Sequence, residues 1–162
     1  MLDSIWLEVR QPGRQVVGIV VDADINLRAR WNAVRDRLVD EGFNPPTQPD
    51  PEGTIIPETE DLPRVGIWLM PDNQSTGELE DFVARMIHGD DPVWPLAEVY
   101  IEGIPLADRK FAENKTQRAK VHAWLAARED PRQMGQAIRA RDLEVDGELC
   151  DKFVSWLRRL FG

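Results

Sequence analysis

Apolar residues recur along this chain in two rhythms. VVGIVV (16–21) is uncharged, β-branched and apolar on both faces, and RVGIWLM (64–70) repeats that character. Both are predicted as strands of the kind that run parallel beneath covering helices. Between them, Leu27, Trp31, Val34 and Leu38 share one helical face, with Arg28, Arg30, Arg35 and Asp36 interspersed. That spacing predicts an amphipathic helix, which Gly42 ends. TIIPE (54–58) reads as a short edge strand, because Pro57 would remove a ladder hydrogen bond from a central one. Strands alternating with helices predict an α/β fold with a parallel sheet and right-handed crossovers.

The remaining periodicity is helical. Leu2, Ile5 and Val9 form a weak stripe closed by Pro12-Gly13. Leu79, Phe82, Val83 and Met86 line a helix face, preceded by Ser75 and Glu78 at capping-box spacing. Residues 91–105 read as helix, followed by a helix over Thr116–Arg128 with Val121, Trp124 and Leu125 inward and a short one over 134–143. The last helix, 148–161, turns Leu149, Phe153, Trp156, Leu157 and Leu160 inward. Trp31, Trp68, Trp124 and Trp156 all fall on predicted core faces.

Composition bounds this picture. The 162 residues are enough for one domain with a true core, and 42% hydrophobic with 30% charged residues is the range of a water-soluble globular chain. The apolar runs are too short to span a bilayer, so no membrane role is expected. MLDSIWLEVR lacks the pattern of a signal peptide, and the single Cys150 excludes an internal disulfide and a cysteine-rich zinc site. A cytoplasmic location is the expectation. The net charge of −9 argues against bulk nucleic-acid binding, but it is unevenly spread. Residues 1–108 carry 8 basic and 21 acidic side chains, whereas 109–162 carry 12 and 8. A single domain over 1–162 is expected, with an acidic, sheet-containing part (1–92) and a basic, mainly helical part (93–162).

The charge pattern directs attention to the strand ends. In open parallel sheets, ligands sit beyond the carboxyl ends of the strands. Asp22 and Asp24 follow the first strong strand, and Asp72 follows the second. In extended chain, residues two apart point to one side, so Asp22 and Asp24 would share a side and repel each other. Mg²⁺ or Mn²⁺ would relieve that repulsion with oxygen ligands; a strand-end turn and helix cap is the structural alternative. Glu80 and Asp81 lie in the first turn of a predicted helix, where the helix dipole alone favours acids. Arg118 and His122 lie one turn apart, with Lys115 on the same side, a row suited to phosphate or a developing negative charge, or to a solvated basic face. Neither His88 nor His122 has a metal-binding spacing.

Taken together, VVGIVVDAD with its trailing Arg30-Trp31, then VGIWLMPDN with GELEDF, AKVHAWLA and FVSWLRRLF, resemble a Toprim-type domain, the topoisomerase–primase fold. The closer resemblance is to a bacterial family of Toprim-like proteins related to the overcoming-lysogenization-defect nucleases. It implies a Toprim-like parallel sheet flanked by helices, a helical C-terminal part, and a metal-dependent phosphodiester site. Asp22 and Asp24 would hold the metal, with Asp72 nearby and Glu80 as the further acid. Arg118 stands where a catalytic lysine is expected, with Lys115 and Lys120 close by. Toprim domains also carry a glutamate after an earlier strand, in a hydrophobic–Glu–Gly turn. No such turn precedes Asp22, and Glu8 falls in a helical pattern. The resemblance thus implies a fragment, a strand supplied by a protein partner or a second copy, or a domain without catalysis.

Two functions follow as expectations. One is a nuclease-type divalent-metal site with weak nucleic-acid binding by the chain alone. The other is a catalytically inactive Toprim-fold interaction module of a defence or repair system. A haloacid-dehalogenase-type phosphatase, which also uses D-x-D, is disfavoured because Asn26 stands where that family wants Thr or Val.

Overall fold

The computed structural model describes residues 4–128 and 133–162. Leu2, expected on the first helix, lies outside them. The chain forms two compact units, one of residues 1–78 with 151–162 and the other of residues 79–150. The C-terminal residues 151–162 belong with the first unit rather than with the helical residues before them.

The first unit is a mixed α/β layer structure. Helix α1 (Ile5–Val9) precedes β1 (Val16–Asp22), α2 (Leu27–Asp40), β2 (Thr54–Ile56) and β3 (Arg64–Met70). The sheet order is β1-β3-β2. β1 runs parallel to β3 in a register from Val16 opposite Arg64 to Asp22 opposite Met70. β2 is antiparallel to β3, so the sheet is small and mixed rather than wholly parallel. Among the described residues β1 lies at an edge, with β3 as its strand neighbour; the uncharged run that predicts a strand covered on both faces carries no information about which strands flank it.

One face of this sheet presents Val17, Ile19, Val21, Val65, Ile67 and Leu69 to Ile5 and Val9 of α1 and to Trp31, Val34 and Leu38 of α2 in a single apolar cluster. The other face receives the C-terminal helix, α7 (Glu148–Phe161). Gly66 makes room for it: a Cβ there would lie 2.4 Å from a Leu160 methyl carbon and 3.0 Å from the Trp156 ring. Trp156 packs 5.6 Å from both Trp68 and Phe153, centroid to centroid. Its indole N–H donates to the Thr54 carbonyl at 3.2 Å. On α7, Trp156 and Leu160 are buried, whereas Leu149, Phe153 and Leu157 are only half-buried.

The second unit is helical: α3 (Leu79–Ala84), α4 (Trp94–Gly103), α5 (Thr116–Ala126) and α6 (Met134–Arg139). Phe82, Val83 and Met86 are buried as expected, but Leu79 is 38% exposed. Ser75, expected to cap α3, turns its hydroxyl back to the Asp72 carboxylate at 2.7 Å. All four tryptophans expected in the core are buried.

Ion pairs pin this unit together. Asp91 Oδ1 accepts from the backbone N–H groups of Val93 and Trp94, both at 2.8 Å, and so caps the start of α4. Its Oδ2 accepts from Arg128 at 3.2 Å, and Arg128 lies 4.2 Å above the Trp124 ring. Burial works against the charged form of Asp91, but the two backbone N–H groups and Arg128 outweigh it, and its pKa is lowered.

Candidate functional site

The carboxyl ends of β1 and β3 meet in the first unit. Past Asp22, the Ala23 N–H donates to the Met70 carbonyl at 3.0 Å, and Asp24 exchanges two backbone hydrogen bonds of 2.8 Å with Gly77. These contacts turn the chain sharply. Asp24 has φ +53°, in the left-handed region that Asp tolerates better than most side chains. The extended alternation that would put Asp22 and Asp24 on one side therefore breaks at Asp24. Asn26 takes the helix-cap role, its Oδ1 accepting from the Ala29 N–H at 2.9 Å. One turn into α2, Arg30 donates to the Asp24 carboxylate. Asp22 is half-buried at the strand end.

Asp72 serves the turn after β3. Its Oδ1 accepts from the N–H groups of Gln74 and Ser75 at 3.0 and 2.6 Å, and its Oδ2 from the Ser75 hydroxyl at 2.7 Å. An aspartate that bonds backbone two and three residues ahead is a turn former. Asn73 completes the structure. It has φ +61°, is 2% exposed, and its Oδ1 accepts from the Leu69 N–H at 2.7 Å. Its side-chain N–H₂ is buried and has no hydrogen-bond partner among the described residues.

Glu80 belongs to the second unit. Its side chain is only 4% exposed and accepts a 2.9 Å contact from Arg118 Nε, with His122 Nε2 at 3.8 Å. Arg118 and His122 are themselves half exposed. The expected basic row is thus real for Arg118 and His122, but its immediate partner is a buried carboxylate. Next to Glu80, burial raises the Asp81 pKa despite nearby Arg85. Lys120 points elsewhere: its ammonium lies 2.5 Å from Glu102 and 3.3 Å from Glu98, joining α5 to α4. Burial opposes the Lys120 charge, the two carboxylates outweigh that, and its pKa is raised. Lys115 is half-buried in the short 3₁₀ turn that leads into α5.

These placements decide what the carboxylates can do as they stand. Asp24 is engaged by Arg30, Asp72 by its own turn, and Glu80 by Arg118. Among the described residues no three His, Cys, Asp or Glu side chains come together to hold a metal ion. In this arrangement the acids do not fit a Mg²⁺ or Mn²⁺ centre. Arg30 and Asn73 are the residues that sequence spacing leaves unassigned. Arg30 is one of four arginines on α2, and Asn73 carries the signal of an Asp-Asn turn.

The first unit, a small mixed sheet under helices with acidic turns beyond its parallel strand ends, defines a mixed α/β protein. The chain belongs to the family DUF3226, "Protein of unknown function", whose model matches residues 1–162. No curated protein and no solved structure matches it. No helix among the described residues is long and apolar enough to cross a membrane.

Proposed function

We propose that the chain is a Toprim-like domain that works through protein contacts and does not cleave nucleic acid by itself. The observation that carries this reading is the pairing of Asp24 with Arg30. It satisfies with an internal cation the very carboxylate that a catalytic D-x-D would offer to a metal. Asp72 is likewise taken up by its own turn. The acidic balance of residues 1–108 adds repulsion of a polyanion.

One observation favours a second reading, a divalent-metal site completed from outside. β1 is an edge strand that ends at Asp22. A strand added parallel to that open edge would end beside Asp22 and supply a further acid. Mg²⁺ or Mn²⁺ would then have to displace Arg30 from Asp24.

Incubation of plasmid and single-stranded substrates with the purified chain in Mn²⁺, beside Asp24→Asn, separates the two. No cleavage by either protein is expected. Robust cleavage by wild type that vanishes in Asp24→Asn would overturn the proposal in favour of the metal reading.

A further inference from the structure

Helix α4 buries Ala97 and Ile101, one turn apart, as an amphipathic helix should. Its outer face is not polar. Leu96, Val99 and Tyr100 are 66%, 69% and 66% exposed, and Leu106 in the following 3₁₀ turn is 79% exposed. The first three stand at i, i+3 and i+4, so they form one stripe. Single exposed apolar residues are ordinary, whereas a contiguous stripe rimmed by polar residues marks a contact surface. From these fractions the four side chains expose roughly 500 Å² together, in the range of the largest apolar patch on a monomer, about 300–600 Å².

The charges around the stripe select the partner. A membrane-binding helix carries Lys and Arg on its polar face to meet anionic lipid. The polar positions of α4 are Glu98 and Glu102, both tied to Lys120 of α5. A nucleic acid would want a basic surface. Segment 93–110 has Glu98, Glu102 and Asp108 against Arg109 and Lys110, and Lys120 makes the balance three to three. Arg109 folds back onto the carbonyls of Ile104 and Glu102, both at 3.0 Å. The patch is therefore neutral in a chain of net charge −9. Two copies repel each other over most of their surface and meet here without that cost.

We infer that the outer face of α4 is a self-association surface, on which a second copy of this chain docks its own Leu96, Val99, Tyr100 and Leu106 about a two-fold axis. A closed two-fold contact is self-complementary by symmetry, which an apolar stripe satisfies most simply. Two such patches bury about 1,000 Å², the lower bound for a specific interface, so a dimer of modest affinity is expected. Tyr100 at the centre is the anchor, since interface energy concentrates on aromatic residues surrounded by a neutral rim. The inference gives the protein-contact reading its surface, but it rests on α4 and the residues beside it and not on the state of Asp24.

The test is sedimentation velocity on the full chain from about 1 to 200 μM, a range that brackets the micromolar affinities of small interfaces. Wild type should pass from monomer to dimer. Tyr100→Arg and, separately, Val99→Lys should weaken the dimer by roughly 10- to 100-fold, the loss expected when an anchor is replaced by charge. Both positions are exposed, so each variant should keep the wild-type circular dichroism spectrum. Monomeric wild type throughout, or dimers of unchanged affinity in both folded variants, overturns the inference. So does a monomeric chain that floats with neutral phosphatidylcholine vesicles, which would assign the stripe to lipid. A monomer that also fails to cleave plasmid in Mn²⁺ sinks this surface and leaves the non-catalytic reading standing.

Discussion

The two units hold their shape by different means. In the sheet unit, side chains of β1 and β3 enter an apolar cluster on one face, and α7 presses Trp156 and Leu160 into the space left by Gly66 on the other. Ion pairs there, such as Arg10 with Glu41 and Arg64 with Glu58, lie at the solvent-facing margin of that packing. In the helical unit, charged pairs join the helices to each other: Asp91 with Arg128, Lys120 with Glu98 and Glu102, Glu80 with Arg118. The apolar packing of the first is insensitive to pH and salt, because burial of apolar surface carries no charge. The second depends on ionisation. In both units, the acids that a strand-end or helix-start pattern offers to a ligand are occupied by the protein itself.

The largest expected effect lies in the sheet unit. Trp156 is fully buried, touches Trp68 and Phe153, and spends its indole N–H on Thr54. Trp156→Ala should cost about 3–5 kcal/mol in urea unfolding, with a loss that stays constant across mildly acidic to neutral pH. A cost below about 1 kcal/mol would mean that α7 does not cover the sheet as described.

A smaller and pH-dependent effect is expected in the helical unit. Asp91→Ala removes a helix cap and leaves Arg128, 13% exposed at its side chain, without its carboxylate. About 2–4 kcal/mol should be lost at neutral pH. The folded-state pKa of Asp91 is lowered, so its stabilisation is complete above the ordinary aspartate value and is lost as pH falls through the folded value. The gap between wild type and Asp91→Ala should therefore narrow in acid, whereas the Trp156→Ala gap should not. Parallel behaviour of the two variants would erase the contrast between the units.

How far the sequence foretells this structure depends on the range of the interaction. VVGIVV and RVGIWLM reveal their strands because β-branched runs act locally, and the proline after TII marks an edge. The inward faces of α2, α3 and α5 follow the helical period for the same reason. What the pattern could not show was relational. The uncharged run of β1 does not tell that it lies at the edge of the sheet. The Asp24–Arg30 pair needs the left-handed turn at Asp24 to bring α2 round. Burial of Glu80 depends on Arg118, far along the chain, and the return of α7 depends on Gly66 in β3, more than 80 residues earlier. The D-x-D pattern announces carboxylates, but their partners are set by the fold.

The most direct test of that claim is a thermal shift with Mn²⁺ on wild type and Arg30→Gln. A cation that binds only the folded state raises the melting temperature in proportion to its affinity. With Arg30 removed, Asp24 loses the ion pair that competes most directly with a cation. The account predicts a small Mn²⁺ response in wild type and a distinctly larger one in Arg30→Gln. A wild-type response that equals or exceeds that of Arg30→Gln, and that disappears in Asp22→Asn, would contradict it and show the strand-end acids already set for a metal.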